Sequence, residues 1–107
     1  MNKQIDVSLT KISQLKDLVV AQWFVYVVKT QCNTLYTGIT TDVERRFSEH
    51  LDCFKGISKK GAKYFRGREP KQVVYIESCD DRSAASKREY EIKKMSTSAK
   101  RVLIDES

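Results

Sequence analysis

Five side chains in this 107-residue chain are placed for chemistry more than for packing. Tyr26 and Tyr36 stand ten positions apart, Arg46 and His50 follow at i, i+4, and Glu89 falls between Ala85 and Ile92 on the expected apolar stripe of a helix. A single carboxylate with waters and a substrate phosphate is a usual arrangement for Mg²⁺. A guanidinium is a rigid fork suited to two non-bridging phosphate oxygens, and phenols and imidazoles hold or move protons. Such a group suits metal-assisted cleavage of a phosphodiester. Each member also has a plainer role. Glu89 can pair with Arg88 or Lys93, Arg46 with Glu49 or Asp42, and His50 can be a boundary residue. Either tyrosine can be core with its hydroxyl bonded locally. A phenol with a pKa near 10 is a poor base unless a metal-bound water or a nearby cation helps it.

The elements that must position these groups are readable from composition. Trp23 to Val28 is a β-branched and aromatic run, the signature of a buried strand. Gln31-Cys32-Asn33 turns the chain, and Leu35 to Ile39 returns as a second strand. Gly38 closes that strand, where a missing Cβ permits close approach or an unusual φ. Thr41 and Glu44 read as a capping box opening a helix, with Val43, Phe47 and Leu51 as its core stripe and Arg46 and His50 on an adjacent face. Val73 to Glu77 is a third strand. Asp81 or Ser83 caps a helix to about Met95, and Ser96-Thr97-Ser98 opens a last one ending near Ile104. The expected fold is α/β (α+β): a small three-stranded, mainly antiparallel sheet flanked by helices in the order β-β-α-β-α-α. Residues 1–22 form an N-terminal extension, where Leu9, Ile12, Leu15 and Val19 allow a weak helix, and residues 23–107 form one domain.

Charge narrows the partner. The segment from Lys55 to Lys71 carries seven cations against Glu69, a surplus equal to the whole net charge of +6. A concentrated positive segment suits a polyanion, although lysines also keep a loop solvated. Lys60, Lys63, Arg66 and Arg68 can track a phosphate backbone, and Tyr64 or Phe65 can stack on an unpaired base. Three cysteines without close pairing argue against a disulfide framework, and one histidine leaves too few ligands for structural zinc. The longest apolar stretch is too short for a bilayer. The expected location is cytoplasmic, with no membrane and no required protein partner.

Several ordered motifs then converge. Phe24-Val25-Tyr26, Tyr36-Thr37-Gly38, Arg46, His50 and Glu89 resemble the GIY-YIG nuclease superfamily. The likeness is closest to its small single-domain bacterial branch, related to the nuclease domain of the UvrC repair protein. The run from Leu35 to Phe47, Gly61-Ala62-Lys63-Tyr64, Asp81 to Ala85 and Glu89 to Lys93 carry it, over residues 23 to about 104. Phe24 stands where the family has glycine and Thr37 where it has isoleucine, and the stretch from His50 to Gly61 is slightly long. The resemblance implies a structure- or end-selective nuclease acting on DNA, with RNA left open, in DNA repair. It makes Tyr26, Tyr36, Arg46, His50 and Glu89 catalytic, and Glu89 the holder of Mg²⁺ or Mn²⁺. Arg46 would neutralise transition-state charge, Tyr36 would activate water with Tyr26 supporting, and His50 would move a proton or bind phosphate. Gly38, Lys60, Lys63, Tyr64, Arg66 and Arg68 would contact nucleic acid. The alternative is a non-catalytic DNA- or RNA-binding module on the same fold.

Overall fold

A computed structural model describes residues 22–107. The elements are β1 (Trp23–Thr30), β2 (Leu35–Thr40), α1 (Val43–Phe54), a 3₁₀ turn (Lys63–Arg66), β3 (Pro70–Cys79), α2 (Arg82–Lys93) and α3 (Thr97–Asp105). The expected order is the observed one, and the sheet is antiparallel with strands ordered β2-β1-β3. The helix expected over Leu9–Val19 lies outside the described residues.

The central strand explains its own composition. Val25, Tyr26, Val27 and Val28 are each no more than 1% exposed because both faces of the sheet are covered. On one face Val25 and Val27 meet Ala85 and Ile92, with Leu103 and Ile104 beside them. On the other, Tyr26 and Val28 meet Phe65, with Val43, Phe47 and Tyr64 around them. Helices α2 and α3 thus cover one side, and α1 with the 3₁₀ turn covers the other.

The hairpin register sets up the site. Asn33 closes the turn in the left-handed region at φ 67°, a conformation its short polar side chain tolerates. Thr34 N donates to Thr30 Oγ1 at 3.0 Å, tying the two arms together. Tyr26 then lies opposite Gly38, and Val28 opposite Tyr36. Two residues apart along one face, the tyrosines become diagonal neighbours.

Sequence expectation and structure differ at several boundaries. All three strands are longer than their apolar runs, because polar residues continue the ladder: β1 reaches Thr30, β2 passes Gly38 to Thr40, and β3 runs from Pro70 to Cys79. The N-cap of α1 is Asp42, not Thr41. Its carboxylate accepts from Arg45 N at 3.0 Å, while its own N–H donates to Thr40 Oγ1 at 3.1 Å. That shift by one residue leaves Glu44 out of position for a capping box. Asp81 and Ser96 cap α2 and α3 as expected. The deepest face of α1 is also displaced. His50 and Cys53 are its buried residues, while Val43, Phe47 and Leu51 are only partly covered. Among the described residues, no helix is long and apolar enough to cross a membrane.

Candidate active site

Gly38 is the point around which the site is built. A Cβ added there would lie 2.7 Å from Tyr26 Oη and 3.0 Å from Tyr36 Cε2. The glycine is therefore required by close approach, and its φ is not in the left-handed region. The tyrosine rings lie 6.3 Å apart, centroid to centroid. Tyr26 Oη and His50 Nε2 are hydrogen-bonded at 2.8 Å in full burial. His50 is packed between Tyr36 and Phe65, with ring centroids 5.3 and 4.3 Å away.

Burial dictates the protonation of this cluster. It lowers the His50 pKa to about 4, assisted by the Arg46 charge, so the imidazole is neutral at pH 7. His50 Nδ1 is buried without a partner. A lone pair there costs less than an orphaned N–H, which favours the tautomer whose Nε2–H donates to Tyr26 Oη. Burial, and then the neighbouring Tyr36, raises the Tyr26 pKa. Burial also raises that of Tyr36, against the opposing charges of Arg46 and Lys93. Neither phenol is ionised at neutral pH. Tyr36 retains some exposure, whereas Tyr26 has almost none.

Arg46 reaches the cluster from α1. Its Nη1 donates to Glu49 Oε1 and to Lys60 O, both at 2.7 Å. These two bonds hold the guanidinium beside the phenols, whose pKa values register its charge. The pairing with Glu49 is one of the plainer roles open to Arg46 in the sequence, and it coexists with a position in the site. The Lys60 carbonyl comes close because Gly61 abuts α1. A Cβ at Gly61 would stand 2.6 Å from both Cys53 Cβ and Glu49 O.

Glu89 approaches from α2, which packs on β1 and β2. Its carboxylate accepts from Lys93 Nζ at 3.1 Å and keeps 22% of its side-chain surface exposed. Its charge also opposes ionisation of both Tyr26 and Tyr36. Among the described residues, no three His, Cys, Asp or Glu side chains gather as a metal cage. A lone, partly exposed carboxylate fits a hydrated divalent cation, which keeps several waters and needs few protein ligands, provided the cation displaces the Lys93 ammonium.

The basic segment is rearranged by folding. The 3₁₀ turn carries Phe65 into the core at 0% exposure, so the expected base-stacking role of Phe65 is ruled out. Tyr64 is half-buried against Tyr36, and Arg68 lies over its ring at 4.4 Å. Lys63, Arg66 and Arg68 are exposed. Lys59 and Arg66 line a cavity with Cys53 and Phe54, whereas Lys60 faces a different groove. That second groove, of about 470 Å³, joins Lys60 and Arg46 to Trp23, Arg45, Glu49 and Arg82. Trp23, Arg45 and Arg82 were not among the residues the sequence singled out. The only sequence signal for them was type, because they come from three different elements.

Comparison with known proteins adds the following. The GIY-YIG catalytic domain family matches residues 22–101. UPF0213 protein DP2720 of Desulfotalea psychrophila is 53% identical over 85 residues, covering 79% of this chain and 73% of the relative. UPF0213 protein HQ_3675A of Haloquadratum walsbyi is 48% identical over 83 residues, covering 78% and 86%. The solution NMR structure of UPF0213 protein BH0048 from Bacillus halodurans is 37% identical with a TM-score of 0.48, covering 78% of this chain and 83% of that one.

Proposed function

The chain belongs to the GIY-YIG catalytic domain family, and from that premise we propose that it is a divalent-metal-dependent nuclease hydrolysing phosphodiester bonds in DNA. The observation that carries the proposal is the pair of phenols packed on Gly38 with rings 6.3 Å apart, a guanidinium on α1 held by two 2.7 Å bonds, and a carboxylate on α2, the helix that packs against both strands of the hairpin. Holding a core together requires none of these charges.

Glu89 would hold the Mg²⁺ or Mn²⁺, which when bound supplies Lewis-acid polarisation of the phosphoryl oxygens. Arg46 offers its fork to the transition-state oxygens, a contribution of roughly 3–4 kcal/mol by analogy with other preorganised donors. Tyr36, the more exposed phenol, orients the attacking water. Arg46 and Lys93 are the cations that ease its deprotonation. Tyr26 lies behind it. His50, fully enclosed, fixes the orientation of the Tyr26 hydroxyl and in this conformation does not reach a substrate phosphate, so the proton-moving or phosphate-binding role is not assigned to it. Lys60, Lys63, Arg66 and Arg68 contribute charge for the phosphate backbone, with Gly38 and Tyr64 beside it. Selectivity is assigned to substrate structure or strand ends rather than to base sequence. The proposed setting is DNA repair in the cytoplasm, with residues 23–107 as the nuclease unit and 1–22 as an extension.

One observation favours the non-catalytic alternative: Glu89 and Arg46 are both satisfied by internal ion pairs. Labelled single-stranded, nicked, flapped and duplex DNA, and RNA, incubated with Mg²⁺ or Mn²⁺, separates the two. The nuclease cleaves at least one DNA substrate, and Glu89→Gln loses at least a hundredfold of that rate. Salt-sensitive binding with no cleavage of any substrate would establish the binding module instead.

A further inference from the structure

The groove between the start of β1, the end of β2 and α1 holds Trp23, Arg45, Lys60 and Arg82 beside Arg46. Arg45, Lys60 and Arg82 are exposed. The carboxylate lining the same groove, Glu49, is already engaged by Arg46 at 2.7 Å. Three cations therefore face the groove without a neutralising partner on its walls. Its volume of about 470 Å³ falls within the range of about 300–1,000 Å³ usual for ligand pockets. That is room for one or two nucleotides of a strand. Trp23 is partly exposed at the groove, and the Arg82 guanidinium stands 5.7 Å from its ring centroid. Arg82 thus covers the indole face at the outer limit of a cation–π contact, loosely enough for a base to replace it by stacking while the guanidinium turns to the adjoining phosphate.

Position relates this groove to the cleavage site. Arg82 opens α2 and Glu89 lies seven residues on, roughly 10 Å along the helix at 1.5 Å per residue. A stacked strand advances about 3.4 Å per nucleotide, so that span is about three nucleotides. Arg46 lies between, belonging both to the groove and to the tyrosine cluster.

We propose that this groove is a flanking-strand subsite for single-stranded DNA: an unpaired base stacks on Trp23 while Arg45, Lys60 and Arg82 hold the adjoining phosphates. The subsite lies about three nucleotides from the bond to be cut. It takes its ligand class from the nuclease proposal, but its test does not depend on cleavage.

Trp23 is the single tryptophan of the chain, so its emission reports on this groove alone. The full-length Glu89→Gln protein is titrated with a thymidine 12-mer at low salt. Tryptophan emission and the anisotropy of a labelled 12-mer are followed in parallel. Both should saturate together, with emission quenched at least twofold. A 12-mer of abasic residues should bind without quenching. In Arg45→Ala/Arg82→Ala, affinity should fall at least tenfold and the slope of log K against log salt should flatten by about 1.4, the loss of two phosphate contacts on a single strand. Saturating anisotropy with unchanged Trp23 emission would overturn the proposal, as would wild-type affinity in the double variant with its circular dichroism intact. Quenching by a wild-type protein that cleaves nothing would sink the nuclease proposal and leave the subsite standing. Cleavage without quenching would do the reverse.

Discussion

Gly38→Ala is the sharpest test of the site's construction. The new methyl carbon would lie 2.7 Å from Tyr26 Oη, 2.8 Å from Tyr26 Cζ and 3.0 Å from Tyr36 Cε2, where ordinary contact begins at 3.4 Å. One ring or the strand must therefore yield by roughly 0.7 Å, a displacement of the overpacking kind. Tyr26 has little freedom to yield, being 1% exposed and bonded to His50 at 2.8 Å. Overpacking costs about 1–3 kcal/mol, and replacing glycine within a strand returns about 0.5–1 kcal/mol through reduced backbone freedom. The net loss is about 1–2 kcal/mol, which for a domain of this size lowers Tm by roughly 5–15 °C. The chemical effect should be larger. A hydroxyl misplaced by something under 1 Å can cost about a hundredfold in rate. Thermal unfolding by circular dichroism gives the first quantity. Single-turnover cleavage of a labelled oligonucleotide, at 20 °C and saturating DNA, gives the second. Disproportion is the diagnostic: a protein still folded at 20 °C with a rate constant down about a hundredfold and DNA affinity unchanged. A variant that matches wild type in both Tm and rate would show that the Tyr26–Gly38 contact is neither tight nor part of the chemistry.

Three further outcomes follow from the same geometry. Arg46→Lys keeps the charge but loses the fork that spans Glu49 and Lys60 O; cleavage should fall about 10²–10³-fold, and a loss below tenfold would remove the guanidinium geometry from the mechanism. Gly61→Ala meets a backbone oxygen, Glu49 O, at 2.6 Å, which cannot swing aside as a side-chain tip can, so Tm should drop by roughly 10 °C or more; an unchanged Tm would mean that the loop does not rest on α1. Stability should also depend on pH through His50, whose folded-state pKa is lowered from 6.5 to about 4 by burial and then by Arg46. Because the unfolded chain binds this proton more readily, the contribution is complete above pH 6.5 and is lost as pH falls toward 4, amounting to about 3 kcal/mol over that window and about 2 kcal/mol by pH 5. Urea titrations at pH 7 and pH 5 should show that loss in wild type and a shallower one in His50→Gln; equal losses would assign the pH dependence to other groups.

How much of this was legible in the sequence depended on whether local pattern and tertiary position agreed. The β1 run was legible because burial on both faces makes every position apolar. The meeting of Tyr26 and Tyr36 was legible because a short turn fixes the register. The inner face of α1 was legible in part: of the marked Val43, Phe47 and Leu51, the first two pack on Tyr26, Val28 and Phe65, but its most buried residues are His50 and Cys53. A polar ring can be the buried residue there because Tyr26 pairs with its Nε2, leaving only the Nδ1 lone pair without a partner. The cations of 55–71 misled in another way: contiguity suggested one patch, yet folding buries Phe65 among them and sends Lys60 and Arg66 to different cavities. The groove itself draws on residues 23, 45, 60 and 82 and has no counterpart in any local pattern.

The two readings of Glu89 drawn from sequence, helix-edge ion pair and site carboxylate, turn out to be compatible. It pairs with Lys93 at 3.1 Å on a helix that packs against both strands of the hairpin. Arg46 behaves alike, bonded to Glu49 while its charge reaches both phenols. In each pair the internal partner bears the charge of the proposed ligand: an ammonium where a divalent cation would sit, and a carboxylate where a phosphate would. Both pairs are partly exposed, and ion pairs of that kind hold by about 0–1 kcal/mol. An incoming phosphate with its cation needs little free energy to replace both. The internal pairing that favours a pure binder is therefore still compatible with catalysis, because partners this weak keep the charged groups in place without closing the site.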